Sequence, residues 1–204
     1  MYPITLNMAG KRCVVAGGGD VAYSKIGSLL QANANVTVVS PEFNPEIVQL
    51  YEEGKISIRR KTVEYDDYKD AFLIIAATDV PELNREIYER VKDTKLVNVV
   101  SDSGLGNFQV PATLSRGKLQ ISVATSGASP LLAKQIRDEL LEKYDESYED
   151  YLEFLYELRM KIKQIKLSKE AKRAYLREAL DEKYKDSISE RARLLTELKR
   201  QEHI

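Results

Sequence analysis

The sequence has very few of the residues on which thiol and metal sites depend. Its 204 residues include one cysteine, one histidine and no tryptophan. A single cysteine excludes an internal disulfide and a thiolate-rich zinc site, and it fits a reducing, cytoplasmic environment. We expect Cys13, in the apolar run CVVA, to be a buried hydrophobic residue, and we predict no metal site. The histidine, His203, is next to the C-terminus, where chains fray, so we expect no catalytic role for it.

An excess of charge and long apolar runs are also lacking. Lys and Arg number 31 and Asp and Glu number 32, a formal net charge of −1, so nothing global favours a nucleic-acid partner. No apolar run approaches the roughly 18 residues of a membrane span, and the first twelve residues do not resemble a signal peptide. We therefore expect a soluble, cytoplasmic protein without membrane contacts.

Apolar runs alternate with amphipathic stretches between residues 12 and 101, a pattern typical of a parallel sheet flanked by helices. The predicted strands are RCVVAGGG, NVTVVS, KISIRRK, DAFLIIAAT and KLVNVVS, and the predicted helices are 21–32, 45–53 and 80–91. The sequence therefore predicts the α/β class, with a Rossmann-like domain over residues 1–112.

The pattern changes after residue 105. Two strands around Gly117 and a helix over 131–143 predict a small α+β module, residues 113–145. Residues 146–204 are nearly free of Gly and Pro and predict a helical C-terminal domain, with an apolar stripe of Tyr148, Tyr151, Leu155, Leu158, Ile162 and Ile165. That spacing indicates a core or a dimer interface. The mixed charges of 169–200 predict a solvated helix.

A glycine-rich turn follows the first strand and begins the first helix. Residues 17–22 read GGGDVA, which fits the G-x-G-x-x-A pattern of dinucleotide-binding turns. Gly17 permits the tight turn, Gly19 lets the backbone approach a pyrophosphate, and Ala22 lets the helix pack closely on the sheet. The amides that open the helix face the phosphates. The predicted cofactor-binding residues here are Gly17, Gly18, Gly19, Asp20 and Val21.

The acidic residue that usually binds the adenosine ribose, at the end of the second strand, is missing. Val39, Ser40 and Pro41 occupy that place, and Ser40 or Glu42 is expected to bind the ribose instead. No arginine stands beside them to accept a 2′-phosphate, so the pattern favours NAD over NADP. Thr78 and Asp79, after the fourth strand, are expected to line the cofactor cleft or to cap the helix that begins near Pro81.

Four blocks together resemble one family. They are GGGDVA followed by Lys25, then AATD, then NVV with an acidic residue, and finally TSGASP leading to LLAKQIR. Over residues 3–140 their order and spacing resemble the precorrin-2 dehydrogenase and sirohydrochlorin ferrochelatase family.

The resemblance implies NAD-dependent oxidation of precorrin-2, an octacarboxylate tetrapyrrole, to sirohydrochlorin during siroheme biosynthesis. It also implies a homodimer that shares the active-site cleft between subunits, with 113–145 as the dimerisation module. Three alternatives stay open: an enzyme that also inserts iron, a non-catalytic NAD-sensing module, and a structural dimer with a vestigial glycine turn.

The resemblance also suggests residues for the chemistry. The family has an aspartate after the Asn-Val-Val strand that handles a proton; Ser101 holds that place here, and we expect the adjacent Asp102 to act instead, with a turn role as the alternative. Thr125 and Ser126 match positions that line the tetrapyrrole cleft, although capping the next helix explains them equally well. Substrate carboxylates require cations, and the candidates, each of which can also be an ordinary surface residue, are Arg116, Lys118, Lys134 and Arg137.

Overall fold

Five parallel strands form one sheet in the order β3-β2-β1-β4-β5. The computed structural model describes residues 1–102 and 104–201, so His203 lies outside the described residues. The strands are Arg12–Ala16 (β1), Asn35–Ser40 (β2), Ser57–Arg60 (β3), Leu73–Ala76 (β4) and Leu96–Val99 (β5). The helices between them are Asp20–Gln31 (α1), Pro45–Glu52 (α2), Tyr65–Tyr68 (α3) and Pro81–Val91 (α4). This arrangement confirms the predicted α/β fold class, and the order reverses between β1 and β4, where such sheets bind ligands.

The two faces of the sheet bury two separate apolar clusters. Cys13 and Val15 of β1 pack with residues of α1 and α2 on one face, whereas Val14 and Ala16 pack on the α4 side. All four side chains are fully buried, as expected when helices cover both faces of a parallel sheet. Cys13 is therefore the buried residue that the sequence predicted, and burial raises its pKa to about 11, which makes the thiolate scarce at neutral pH.

Helix α3, which lies between β3 and β4, was not predicted from the sequence. Its four residues, YDDY, are too short to show a helical period, but Glu64 and Asp67 form a reciprocal capping box at its first turn. The Asp67 side chain is 2% exposed and lies 2.7 Å from Arg59 Nη1 and 3.1 Å from Lys61 Nζ. These ion pairs fasten α3 to the end of β3.

Replacing Asp67 by asparagine is expected to lower the free energy of unfolding by about 1–3 kcal/mol, since hydrogen bonds to a charged group contribute that much. Burial alone raises the pKa of Asp67, but the Glu64 amide, Arg59 and Lys61 outweigh burial and lower the pKa from 3.8. The stabilisation is therefore complete above the unfolded-state pKa and is lost as the pH falls through the lower folded-state pKa. Urea unfolding across this acid range measures the difference, with Asp66→Asn, at an exposed carboxylate paired to Lys69, as the control. Equal effects of the two substitutions would contradict the prediction.

The rest of the chain combines a β-hairpin with five helices among its described residues. Ala112–Arg116 (β6) pairs antiparallel with Leu119–Val123 (β7). The helices are Pro130–Lys143 (α5), Ser147–Gln164 (α6), Lys169–Glu178 (α7), Glu182–Asp186 (α8) and Ile188–Arg200 (α9). Tyr151, Leu158 and Ile162 of the predicted stripe are buried in the cluster that these helices form, which confirms the prediction that the stripe is packed.

The prediction of one solvated helix over 169–200 was wrong. The segment holds three helices, and Leu194 and Leu198 of α9 are 2% and 0% exposed. Tyr184 of α8 is also buried, and its hydroxyl donates to Glu178 Oε1 at 2.6 Å. The apolar face is difficult to recognise in the sequence because most residues of the segment are charged. A helix of this composition can still bury a narrow apolar stripe.

The chain divides into two compact units, Met1–Val110 and Pro111–Ile204. The finer division at residues 112 and 145 that the sequence suggested stays a prediction. In the part of the chain that the structure covers, no helix is long and apolar enough to cross a bilayer.

Candidate active site

The glycine turn after β1 is held between the segments that follow β4 and β2. Gly17 has φ of 123°, and a Cβ atom there would lie 2.1 Å from the Ala77 carbonyl oxygen. A Cβ atom on Gly18 would lie 1.9 Å from the Glu42 carbonyl oxygen. These two positions therefore require glycine for packing, which extends the role predicted for Gly18 beyond cofactor contact.

Gly19 differs from its two neighbours. A Cβ atom on Gly19 would meet no heavy atom within 4 Å, so the space beside it is open. Gly19 is also the N-cap of α1, and no side chain caps that helix, whereas Asn44 caps α2 by accepting from Ile47 N at 2.9 Å. The first amides of α1, on Asp20 and Val21, are thus available to a phosphate, and the helix dipole favours an anion there. This open, uncapped turn fits the pyrophosphate of a dinucleotide.

The ribose side of the site is formed by the segment after β2. Ser40 is 9% exposed, and its Oγ lies 2.9 Å from the point where a Gly18 Cβ atom would be. Pro41 and Glu42 are exposed. The predicted ribose-binding residues therefore lie directly beside the glycine turn.

Sequence reasoning missed a cation at this place. Arg60 is the register partner of Ser40 across β2 and β3, and its guanidinium carbon lies 5.1 Å from the centre of the Phe43 ring. The premise that no arginine stands beside Ser40 is correct for the local sequence but wrong for the fold, since parallel pairing joins residues twenty positions apart. The basic triplet Arg59, Arg60, Lys61 at a strand end was the available signal.

Thr78 is fixed by a buried amide and does not act as the α4 cap. Asn84, which is 0% exposed, accepts from Thr78 N at 3.1 Å and from Thr78 Oγ1 at 2.7 Å, and it donates to the Thr78 carbonyl oxygen at 2.8 Å. Its amide nitrogen also lies 3.4 Å from Ser101 Oγ. The N-cap of α4 is Val80, without a side-chain cap, and Asp79 is exposed.

Asn84 therefore joins the segments that follow β4 and β5. It was missed because it is a polar residue on an apolar helix face, three residues before Ile87 and seven before Val91, both of which are buried. A polar side chain that is buried at such a position is normally hydrogen-bonded to groups nearby.

Replacing Asn84 by alanine is expected to lower the free energy of unfolding by about 2–3 kcal/mol, because it leaves the partly buried amide and carbonyl groups of Thr78 without this partner. The affinity for NAD is expected to fall with it, since Thr78 lies at the crevice edge. Urea unfolding and cofactor titration measure the two effects. Asn35→Ala, which removes one exposed hydrogen bond to Gly10, is the matched control; if it costs as much, the bridging role of Asn84 is wrong.

Asp102 follows β5 and is exposed. Its Oδ1 accepts from Gly104 N at 2.8 Å, which is the geometry of an Asx turn, so the turn role left open by the sequence is present. Ser101 and Asp102 line a groove of about 560 Å³ with residues of α4. Glu82, Glu86 and Glu89 outnumber Arg85 in this groove, a charge balance that repels carboxylate groups, so a polycarboxylate ligand that approaches Asp102 must have its own carboxylates bound outside the groove.

The candidate substrate residues belong to the second unit and separate into two groups. Arg116 and Lys118 flank the hairpin turn, whereas Thr125 and Ser126 follow the other end of β7, a strand that is itself about 13 Å long at the rise of an antiparallel strand. Arg116 donates to the Tyr144 carbonyl oxygen at 3.2 Å. Lys118 pairs with Glu153 at 3.0 Å. Both cations are therefore already engaged.

The segment after β7 is shaped differently. Thr125 Oγ1 accepts from Ser129 N at 3.1 Å, and Ser129 itself caps α5 by accepting from Leu132 N. Ser126 is exposed with φ of 51°, a conformation that costs free energy for a residue other than glycine. Thr125 supports the helix start, and Ser126 takes no part in the cap. Of the remaining cations, Lys134 is exposed and Arg137 pairs with Asp138.

Among residues 1–102 and 104–201, no group of three or more His, Cys, Asp or Glu side chains is placed to hold a metal ion.

Comparison with known proteins covers nearly the whole chain. Residues 4–112 match the NAD(P)-binding family model, residues 116–143 match the sirohaem biosynthesis protein central region, and residues 148–194 match the SirC C-terminal domain. A precorrin-2 dehydrogenase of Priestia megaterium is 37% identical over 98% of this chain and 99% of its own length. One of Bacillus subtilis (strain 168) is 38% identical over 79% of this chain and 99% of its own length.

The similarity extends to a solved structure. The structure titled SirC, precorrin-2 dehydrogenase, superposes with a TM-score of 0.83 at 37% identity, covering 98% of this chain and all of that one. The sequence relatives, the matched fold and the open glycine turn agree with one another. The chain belongs to the precorrin-2 dehydrogenase family.

Proposed function

We propose that this chain oxidises precorrin-2 to sirohydrochlorin, with NAD as the cofactor, in siroheme biosynthesis. The structural observation that carries the proposal is the open space at Gly19 beside the uncapped start of α1. It is supported by full-length relatives that are precorrin-2 dehydrogenases.

The protein residues bind and orient, and NAD when bound supplies the hydride acceptor. The amides of Asp20 and Val21 hold the pyrophosphate, and Ser40 and Glu42 hold the adenosine ribose. Thr78, fixed by Asn84, lines the crevice between β1 and β4, with Asp79 exposed beside it. The support for each role is the position of the residue near the carboxyl ends of the strands, where such sheets bind ligands.

The proton that accompanies hydride loss requires a base on the protein. Asp102 follows β5. Its carboxylate is exposed and accepts a hydrogen bond from the Gly104 amide, which orients it. We assign it the proton-accepting role, because an exposed and oriented carboxylate after a strand of this sheet lies at the edge where such sheets bind ligands and can accept a proton there. Ser101, next to it, is hydrogen-bonded to Asn84 and serves to position the segment.

For the substrate we favour Thr125 and Ser126 over Arg116 and Lys118. The two cations are bound to Tyr144 and Glu153, whereas Ser126 is exposed and held in an unfavourable backbone conformation, a feature that clusters at ligand sites. The exposed Lys118–Glu153 pair is weak enough to exchange with a substrate carboxylate, so Lys118 keeps a secondary role.

The helical and hairpin unit is proposed to form a homodimer. Helix α5 buries only Ala133 among its fourteen residues, and Leu131 and Leu132 are 78% and 46% exposed. An apolar surface on a helix that covers a two-stranded sheet is typical of an interface between copies.

Light scattering should give twice the 23.2 kDa of one chain, and Leu131→Asp should shift the mass toward one chain. A monomer for the unaltered protein would reject the dimer.

The function is tested by following NADH formation after mixing the purified protein with NAD and enzymatically generated precorrin-2 under anaerobic conditions. Turnover is the expected result. NAD binding without turnover would favour a non-catalytic sensor, and failure to bind NAD would remove the dinucleotide site itself.

A further inference from the structure

We propose that Arg60 forms a binding site for a 2′-phosphate beside Ser40, so that the chain accepts NADP as well as NAD. The proposal rests on the dinucleotide site proposed above and adds to it a residue that determines cofactor preference.

The position of Arg60 follows from strand pairing. β2 and β3 run parallel with Ser40 opposite Arg60, and Lys61 N donates to the Ser40 carbonyl oxygen at 3.2 Å. The end of β2 is the place where Rossmann sheets bind the adenosine ribose. Ser40 Oγ lies at the glycine turn, so the ribose hydroxyls are expected next to Ser40, on the edge that Arg60 shares.

The alternation of side chains along a strand separates Arg60 from its two basic neighbours. Arg59 and Lys61 reach the opposite face and pair with the buried Asp67. Arg60 lies on the other face, over the Phe43 ring. Arg59 and Lys61 are committed to holding α3, and Arg60 is the member of the triplet directed at the ribose segment.

Phe43 prepares Arg60 for an anion. The ring packs against the core cluster beneath α1 and α2, so its place is fixed, and a guanidinium group over an aromatic face keeps its hydrogen-bond donors free at the edge. Arg60 is exposed, and within the described residues it has no carboxylate within 4 Å. Guanidinium groups bind phosphate oxygens in a two-point geometry, which a ribose hydroxyl cannot match.

Glu42 opposes this preference. An exposed carboxylate beside Ser40 accepts from the ribose diol of NAD and repels a 2′-phosphate. Because Glu42 and Arg60 act in opposite directions on the same edge of the site, the expected outcome is weak discrimination, with dissociation constants for NADP and NAD within about tenfold of each other.

The test is the titration of NAD and NADP by calorimetry with four proteins: the unaltered chain, Arg60→Gln, Glu42→Gln and Lys55→Gln. Lys55→Gln is the matched control, because it removes the same charge from the segment before the opposite end of β3, where Lys55 pairs with Glu53. Arg60→Gln is expected to weaken NADP binding about tenfold or more and NAD binding less than twofold, since a charge-assisted phosphate contact is lost. Glu42→Gln should favour NADP, and Lys55→Gln should change neither.

The loss caused by Arg60→Gln should shrink as salt is raised, because an exposed charge pair is screened. An unaltered chain that binds NAD and not NADP overturns the inference and leaves the proposed function in place. Equal loss of both cofactors in Arg60→Gln, or an equal loss in Lys55→Gln, overturns it as well, because the effect would then be structural or a matter of total charge. Failure to bind either cofactor removes the proposed function and this inference together.

Discussion

Replacing Gly19 by aspartate is expected to weaken NAD binding at least about 100-fold, because it puts a side chain and a negative charge where the pyrophosphate meets the start of α1. The protein should still fold. A side chain on Gly19 meets open space, and Gly19 is outside the left-handed region, with φ of −92°. Calorimetry with NAD and thermal unfolding measure the two properties separately.

The same substitution at Gly27 is the matched control. Gly27 lies in α1 about two turns further on, and a Cβ atom there also meets nothing within 4 Å. Gly27→Asp should keep NAD binding within about twofold, since the charge is then several ångströms beyond the phosphates and screened. Undiminished NAD binding in Gly19→Asp would show that the glycine turn is not the cofactor site.

A substitution at Gly18, in contrast to one at Gly19, is expected to lower stability. Gly18→Ala brings a methyl group against the Glu42 carbonyl oxygen, so the segment after β2 must move and stability falls, by about 1–3 kcal/mol for overpacking. A pattern of glycines does not reveal which of them face a ligand and which face the protein. That distinction required the positions of Ala77 and Glu42, which lie in the segments that follow β4 and β2.

The sheet was predictable because its signals are local. Continuous apolar runs such as CVVA and LIIA alternate with helical periods, and burial on both faces of a parallel sheet dictates that alternation. The expected helices over 21–32 and 80–91 correspond to Asp20–Gln31 and Pro81–Val91, within the usual uncertainty of helix ends.

The parts that were missed depend on contacts between distant residues. Arg60 reaches Ser40 through the β2–β3 pairing, and Asn84 reaches Ser101 across seventeen residues. The C-terminal helices hid Leu194 and Leu198 among charges because a two-residue stripe is too narrow to stand out. The sequence also grouped Arg116 with Thr125, because it does not show the strand pairing that places these residues at opposite ends of the hairpin.

Replacing Asp102 by asparagine is expected to reduce kcat about 100-fold or more, the usual contribution of a general base, while the dissociation constant for NAD stays within about twofold. Steady-state NADH formation at saturating NAD and precorrin-2 measures the first, and calorimetry measures the second. Asp93→Asn is the matched control, because Asp93 is also an exposed carboxylate but precedes β5 instead of following it and has no role assigned to it. A similar loss of kcat in both variants would indicate that the total charge matters rather than one base.

Asparagine is the informative replacement because it distinguishes the two roles of Asp102, accepting a proton and forming the turn with Gly104. The side-chain oxygen of asparagine still accepts from Gly104 N, so the turn after β5 is kept, but an amide cannot accept the proton that leaves precorrin-2. Alanine removes both properties. Loss of turnover in both variants therefore assigns the chemistry to the carboxylate, whereas an active Asp102→Asn beside an impaired Asp102→Ala assigns Asp102 to the turn. In that second case Ser101, held by the buried Asn84, becomes the residue to test next, because the resemblance in sequence predicts the family's aspartate at its position.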